Sequence, residues 1–271
     1  MKKLLFSLLV ACSLIQLVSC HKFVIIIPPP PPPVAIDSTT HLLTGQTWVY
    51  YEYFTNFDPN PTTLVWKTNR TNNIRNYSLN QVKFNADSTY SEIDQNGILY
   101  QGTWSWQDNK KGLKVVNSQG TFTSTLQSLS ATRFEWKSTA GDTYAVMIPR
   151  GSDTAATGDK TAMITGKNWI YTEYFWNWDD AGPVLVWKPN KTNSPNNLSL
   201  NVVRYAPDGT YTETDQNGVV YNGTWAFLNN QTQIQVINSL GVFTSTIKRL
   251  DAGHFEWWEN STGHYGEMMP R

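Results

Sequence analysis

Apolar and polar positions alternate along most of the chain after residue 43. The clearest run is Trp48 to Phe54, where aromatic side chains recur with a period of two at both the odd and the even positions. This spacing predicts a β-strand. Turn signals such as Asn96-Gly97 and Asp208-Gly209 follow about every 8–12 residues. Over residues 43–150 the pattern predicts about eight short antiparallel strands and no convincing helix, as in a barrel or a sandwich.

The whole pattern occurs twice. Residues 44–150 and 165–271 align without a gap at an offset of 121 residues, with roughly half of the positions identical. This period exceeds the ~20–50 residues of a solenoid unit, so each copy is expected to be a complete domain. We predict two domains, 43–150 and 163–271, joined like beads on a string by a linker of small and polar residues, 151–162.

The first twenty residues have the pattern of a bacterial export signal. Met1-Lys2-Lys3 is basic, and the apolar run Leu4 to Val18 is too short to span a bilayer. The run ends in Leu17-Val18-Ser19-Cys20, which resembles the lipobox of bacterial lipoproteins. That resemblance implies that residues 1–20 are a signal peptide and that Cys20 becomes the lipidated first residue.

Residues 21–42 are predicted to be a tether. The six prolines Pro28 to Pro33 form a stiff spacer of roughly 19 Å. Lipoproteins exported to the cell surface in the Bacteroidetes resemble one another in carrying acidic residues after the lipidated cysteine, whereas this chain has His21-Lys22. We therefore expect an envelope protein anchored to the outer membrane by its lipid, on the periplasmic side rather than the cell surface.

Composition argues against several classes of function. The chain has 21 basic and 21 acidic residues without a basic patch, so nucleic acid is not an expected partner. Both cysteines, Cys12 and Cys20, lie in the predicted signal peptide. The four histidines lack metal-binding spacing, and neither a nucleophile elbow nor a phosphate-binding glycine loop occurs. We expect no cofactor, no metal and no enzyme activity.

Two acidic segments are candidates for metal binding or catalysis. Asp94-Gln95-Asn96-Gly97 lacks the twelve-residue spacing of a calcium loop and is interpreted as a tight turn. Glu92 and Asp94 have the spacing of a pair on one face of a strand, and two such carboxylates can hydrolyse glycosides. Side chains two apart on a strand are more often solvent-facing, which is the interpretation we adopt.

The order of short motifs resembles that of a known family. Leu-Thr-Gly-x-x-Trp at 43–48 is followed by Phe-Asn-Ala-Asp-Ser-Thr-Tyr at 84–90, Gly-Thr-Trp at 102–104 and Phe-Glu-Trp at 134–136, and the second copy repeats this order. The order is similar to the lipocalin-like domains in lipoproteins of the Bacteroidetes, with avidin-like barrels as the second choice. The resemblance implies an all-β protein of two tandem antiparallel eight-stranded lipocalin-like barrels.

The first strand of each repeat supplies most of the candidate ligand-binding residues. Alternation places them on one face with Trp48 and Trp169: Tyr50, Glu52, Phe54, Tyr171, Glu173 and Phe175. They are interpreted either as a pocket lining with a carboxylate as polar handle, or as barrel filling in which the carboxylate is paired. The two tryptophans are expected to fill the barrel floors.

Two further candidates, Trp176 and Trp178, replace Thr55 and Phe57 of the first copy. Beside Asn and Asp they suit a sugar-binding surface, the mouth of a barrel, or a cover over the barrel end. The leading hypothesis is a lipid-anchored, non-catalytic protein that binds a small apolar or amphipathic ligand in or at the mouth of a barrel. The alternatives are a glycan-binding surface and a structural or assembly lipoprotein with filled barrels.

Overall fold

The structure, a computed structural model, describes residues 37–58, 61–152 and 158–271. Residues Ile36–Arg271 form one compact unit. The predicted signal peptide, Cys20 and most of the tether lie outside the described residues. Within the described part of the chain, no helix is both long and apolar enough to cross a membrane.

Within the described residues, each repeat contains one short α-helix followed by nine antiparallel strands, and repeat 1 also contains the 3-10 helix Asp108–Lys110. Repeat 1 comprises α1 (Ser38–Thr44), β1 (Thr47–Thr55), β2 (Thr63–Lys67), β3 (Gln81–Phe84), β4 (Thr89–Ile93), β5 (Leu99–Gln107), β6 (Gly112–Asn117), β7 (Gly120–Leu129), β8 (Phe134–Ser138) and β9 (Thr143–Pro149). Repeat 2 comprises α2 (Lys160–Ile164), β10 (Asn168–Trp176), β11 (Val184–Trp187), β12 (Val202–Tyr205), β13 (Thr210–Thr214), β14 (Val220–Leu228), β15 (Gln233–Asn238), β16 (Gly241–Leu250), β17 (Phe255–Glu259) and β18 (His264–Pro270).

Each sheet closes on itself as an eight-stranded barrel. In repeat 1, β1 pairs with β3 along the start of one edge and with β9 along the other edge, which closes the ring through β4 to β8. The ninth strand, β2, pairs only with the second half of β1. Repeat 2 has the same topology, with β10 in the place of β1. The predicted all-β architecture of two antiparallel eight-stranded barrels is confirmed.

The helices, which the period-two pattern did not predict, close the barrel floors. The Asp37 side chain caps α1 by accepting hydrogen bonds from the first free backbone N–H groups. The indole N–H of Trp48 donates to the Leu43 carbonyl at 2.9 Å, and that of Trp169 donates to the Ile164 carbonyl at 2.8 Å. Both tryptophans are fully buried, so they fill the floors as predicted.

Three apolar cores hold the unit together. One surrounds Trp48 inside barrel 1, and one surrounds Trp169 inside barrel 2. The third lies between the barrels and combines residues of both repeats, including Phe54 and Phe175. The beads-on-a-string picture is therefore wrong, because the two barrels share a buried interface.

Candidate functional site

A β-bulge divides the first strand of each barrel. The pairing of β1 with β9 skips Tyr51, so that Tyr50 lies opposite Met147 and Glu52 lies opposite Val146. One extra residue exchanges the two faces of a strand. Before the bulge, Trp48 and Tyr50 point into the barrel. After it, alternate residues from Glu52 point out of the barrel toward the other repeat.

The candidate residues therefore do not share one face, in contrast to the prediction. Tyr50 packs against the core of barrel 1, and Tyr171 packs against that of barrel 2. The other four first-strand candidates are fully buried between the barrels: Glu52, Phe54, Glu173 and Phe175. The same bulge occurs in β10, between Tyr171 and Glu173.

The interface has an approximate two-fold relation between the repeats. The rings of Phe54 and Phe175, which are equivalent positions, stack across it with centroids 6.4 Å apart and planes 5° from parallel. On one side Phe57 stacks on Tyr144 at 4.2 Å. On the other, the equivalent pair Trp178 and Tyr265 stacks at 3.9 Å.

Loop hydrogen bonds across the interface are reciprocal as well. The Arg70 guanidinium donates to the Trp178 carbonyl, and the equivalent Lys191 donates to the Phe57 carbonyl at 2.5 Å. Side-chain amides follow the same rule, since Asn72 donates to the Asp179 carbonyl at 2.6 Å and Asn193 to the Asp58 carbonyl at 3.0 Å. Equivalent residues therefore donate to equivalent carbonyl groups of the opposite repeat, as in a symmetric dimer.

A buried network of charges lies within this interface. The Lys188 ammonium donates to Glu52 at 2.6 Å and to Glu173 at 2.8 Å. The Lys67 ammonium donates to Glu52, to Glu173 at 2.6 Å and to Glu267 at 2.9 Å. All five side chains are almost fully buried. Glu267 breaks the two-fold relation because its equivalent in repeat 1 is Val146.

Burial and neighbouring charges set the protonation of this network. Burial raises the pKa of Glu52, but the Lys188 and Lys67 ammonium groups outweigh it and hold that pKa well below its ordinary value. Burial and the charge of Glu52 together raise the pKa of Glu173 to about 8. The carboxylates of Glu52, Glu173 and Glu267 are close enough to hold a cation. The Lys67 ammonium occupies that position, so the network supplies its own cation.

The lumen of barrel 1 is open, in contrast to the filled interface between the barrels. It encloses a cavity of about 560 Å³ whose lining runs from the core residues Phe134 and Met147 to the hairpin residues Asp142 and Thr143. Phe122 pairs with the lining residue Val115 and belongs to the same inward face, yet half of its surface is exposed. A large inward aromatic side chain that remains exposed indicates a barrel that its own side chains do not fill.

The polar groups of this lumen centre on Glu92. Its carboxylate accepts a hydrogen bond from the Tyr90 hydroxyl at 2.5 Å. Burial raises the pKa of Glu92, and the nearby Asp94 carboxylate raises it further. The sequence interpretation of Glu92 as solvent-facing is wrong. The available signal was the recurrence of Tyr-x-Glu at 90–92 and 211–213, since an aromatic residue two positions away predicts the inward face.

Asp94 differs from Glu92 and forms the tight turn that the sequence predicts. Its carboxylate accepts hydrogen bonds from the backbone N–H groups of Asn96 at 2.8 Å and Ile98 at 2.9 Å. These bonds to backbone donors lower its pKa. The Asp94 carboxylate therefore stays ionised beside the half-buried Glu92.

Barrel 2 differs from barrel 1 in how matching positions of its lumen are packed. His264 replaces Thr143, and its ring nitrogen Nδ1 lies 3.0 Å from the Tyr174 hydroxyl. The Trp257 ring lies directly over Gly266, so close that an added Cβ would be 2.6 Å from the ring. Ser245 is buried, whereas its equivalent Ser124 is half-buried and lines the cavity of barrel 1.

The two loop tryptophans have different environments. Trp178 is 6% exposed and is part of the interface core, where it stacks on Tyr265. Trp176 is 38% exposed and lies beside His264, with ring centroids 6.4 Å apart. They do not form one exposed pair of stacking planes, because the loop directs Trp178 into the contact with repeat 1.

Comparisons with known proteins concern the fold alone. No protein-family model and no curated protein matches the chain. It is similar to the solved structure of a lipocalin-like protein from Bacteroides uniformis, with 12% identity and a TM-score of 0.29 over 40% of this chain and 98% of that chain. It is also similar to a DUF4847 family protein from Bacteroides vulgatus, with 14% identity and a TM-score of 0.29 over 41% and 96%. The lipocalin-like barrel architecture predicted from the sequence is present in each repeat.

Proposed function

We propose that the protein is a non-catalytic binding protein that holds a small apolar or amphipathic ligand in the lumen of barrel 1. The open cavity of about 560 Å³ is the observation that carries this proposal. Its size and mainly apolar lining, with a few polar groups, are typical of sites for small organic molecules. Of the predicted candidates in repeat 1, Tyr50 belongs to this site, together with Tyr53, Tyr90 and Trp136.

The cellular setting of the proposal rests on the sequence. Acylation of Cys20 would anchor the protein to the outer membrane, and the tether 21–42 would separate the barrels from the bilayer. The basic residues after Cys20 favour the periplasmic face. Labelling with a radioactive fatty acid tests the anchor, because Cys20→Ala should lose the label and Cys12→Ala should keep it.

A glycan-binding surface remains the alternative hypothesis and would depend on the exposed Trp176. One exposed indole offers a single stacking plane, since Trp178 is buried. The third hypothesis, an assembly lipoprotein with filled barrels, suits barrel 2 better than barrel 1. The open lumen of barrel 1 favours ligand binding over both.

Native mass spectrometry of residues 37–271 tests the proposal. We expect the folded protein to carry extra mass that is released on denaturation. If the purified protein carries none, adding 1-decanol should produce extra mass. Ser124→Phe should remove this mass because Ser124 lines the cavity. Its neighbour Thr125, which is exposed, supplies the matched control Thr125→Phe. A bare mass in every condition, including added decanol, would contradict ligand binding in barrel 1.

A further inference from the structure

The titratable residues that line the cavity of barrel 1 are acids and phenols, and no basic residue is among the described residues of the lining. Its titratable lining residues are Glu92, Asp142 and the three tyrosines Tyr50, Tyr53 and Tyr90. Lysine, arginine and histidine are all missing from this lining. An anionic ligand such as a fatty-acid carboxylate would therefore enter without a counter-charge, which is costly in a buried site.

Two basic side chains on adjacent elements do not supply that counter-charge. Lys137 of β8 is hydrogen-bonded to Asp58, on the side of the interface. Arg75 lies in the connection between β2 and β3, where its side chain is exposed and is not part of the lining. The described residues of the lining therefore carry acids without a basic residue among them, and the exposed Arg75 acts on the lining only from outside, where its charge opposes the rise in the pKa of Tyr53.

Among the described residues, no cationic side chain pairs with Glu92 in the lumen. Its described side-chain hydrogen bond comes from the Tyr90 hydroxyl. Glu52, in the interface, instead receives hydrogen bonds from the ammonium groups of Lys67 and Lys188. A buried carboxylate is stable in its charged form only when it is paired. A ligand that brings its own positive charge would complete the lumen site in the way that the lysines complete the interface.

Aromatic faces next to Glu92 are suited to the same ligand. Tyr50 and Tyr53 pack edge to face with centroids 5.5 Å apart, and Tyr53 packs against Trp136 at 6.4 Å. All three rings line the cavity. The faces of such rings attract ammonium groups, and this attraction strengthens when the site excludes water.

The mouth of the barrel is also negatively charged. The Asp142 carboxylate accepts a hydrogen bond from the Ser138 hydroxyl at 2.7 Å, and this bond lowers its pKa. Asp94 is ionised by its turn, as described above. Ionised groups around an entrance raise the local concentration of oppositely charged solutes and exclude like charges.

We infer that the ligand of barrel 1 is a cationic amphipath, an amine or quaternary ammonium group on an apolar body, with its charge placed against Glu92. This inference rests on the proposed function and narrows it to one class of ligand. The apolar body would occupy the deep end of the lumen, beside Phe84, Phe134 and Met147. The charged group would lie among Glu92, Tyr50 and Trp136.

Calorimetric titration of residues 37–271 with three ten-carbon probes tests the inference. The probes are decyltrimethylammonium, 1-decanol and decanoate; the two ions are kept below their micelle-forming concentrations and decanol below its solubility. We expect the cation to bind at least about tenfold more tightly than the alcohol, and decanoate to bind more weakly than either. Glu92→Gln should weaken binding of the cation about tenfold and leave that of decanol unchanged.

The duplicated chain offers a matched control. Glu213 occupies the equivalent position in barrel 2 and accepts the same hydrogen bond, from Tyr211 at 2.6 Å. Glu213→Gln should leave the affinity of barrel 1 for the cation unchanged, and Ser124→Phe should remove binding of the cation and of decanol.

The outcomes separate the two levels of the proposal. Equal binding of the cation and decanol, preference for decanoate, or unchanged cation binding by Glu92→Gln would overturn the inference while leaving a binding lumen in place. Failure of all three probes to bind would overturn the proposed function itself.

Discussion

Glu52, which is fully buried, and Glu92, which is half-buried, are acids of the same repeat with opposite surroundings. Glu52 lies in a filled interface, where two lysines compensate its charge. Glu92 lies beside an open cavity, with a tyrosine hydroxyl as its described partner. The first environment lowers the carboxyl pKa and the second raises it. Burial of a carboxylate thus identifies neither a structural nor a binding role, and the source of the compensating charge distinguishes the two.

The largest effect is expected from removing a lysine of the interface. Lys67→Met would remove one of the two ammonium groups that compensate the buried carboxyl groups of the interface, so we expect the free energy of unfolding to fall by about 3–5 kcal/mol. Urea denaturation followed by circular dichroism measures it. Lys137→Met is the control, because its pair with Asp58 is partly exposed and is expected to contribute about 1 kcal/mol or less. Equal losses in both variants would show that the buried network does not stabilise the contact.

The two loop tryptophans provide the next comparison. Trp178→Ala removes a buried ring from the interface core, so we expect a loss of about 3–5 kcal/mol. Trp176→Ala removes an exposed ring and should change stability by about 0.5 kcal/mol or less. Denaturation curves of the two variants would contradict the described burial if their midpoints were the same.

Glu173 should give the interface a distinctive pH dependence. Its pKa of about 8 in the folded protein exceeds its ordinary value of 4.5, so the folded state holds an extra proton between these values. The stability from this proton is complete below pH 4.5 and is lost as the pH rises through about 8. Glu173→Gln cannot titrate, and its free energy of unfolding should fall less over this range. Denaturation at a series of pH values measures the two slopes.

Glu52 and Glu267 determine how the stability of the interface depends on pH in acid. Both carboxyls have lowered pKa values despite burial, Glu52 through Lys188 and Lys67, and Glu267 mainly through Lys67. Their stabilising effect is present above their ordinary pKa and is lost as the pH falls through the lowered values. The wild-type protein and Glu173→Gln should therefore both lose stability in acid. Identical slopes above pH 4.5 would contradict a protonated Glu173.

A small effect on stability is also expected at Glu92. Glu92→Gln keeps an oxygen that accepts from Tyr90 and removes an acid whose ionised form is disfavoured by burial. We expect the free energy of unfolding to change by about 1 kcal/mol or less. Glu52→Gln should instead destabilise the protein clearly, because it removes charge between two ammonium groups. A large loss in Glu92→Gln would place this acid among the structural residues.

The sequence predicts the barrels better than it predicts the site. Alternation identified the strands, and the offset between the copies identified the repeats. Asp94 forms the predicted turn, and Trp48 fills the predicted floor. These features depend on local spacing or on the comparison of the two copies, and both are available from a single sequence.

The bulge and the interface could not be derived in the same way. Trp48 to Phe54 keeps its alternation across Tyr51, so the exchange of faces depends on the pairing with β9. The partners of Glu52 are distant in sequence, since Lys188 lies 136 residues away. A usable signal existed, because Glu52 and Lys67 both recur in the second copy within otherwise apolar strands. Charged residues that occur in both copies within apolar strands are candidates for pairing with each other.

The two-fold contact between repeats has a consequence for how the two barrels can diverge. Two identical subunits that meet through such a contact must carry every substitution twice, on both sides. Fusion into one chain removes that restriction, and it also makes the contact independent of protein concentration. Val146 can therefore occupy the position that Glu267 has in the other repeat, and the small Thr143 can line one lumen while the larger His264 lies against Tyr174 in the other. One half of the duplicated chain is free to specialise in recognition while the other half remains its permanent structural partner.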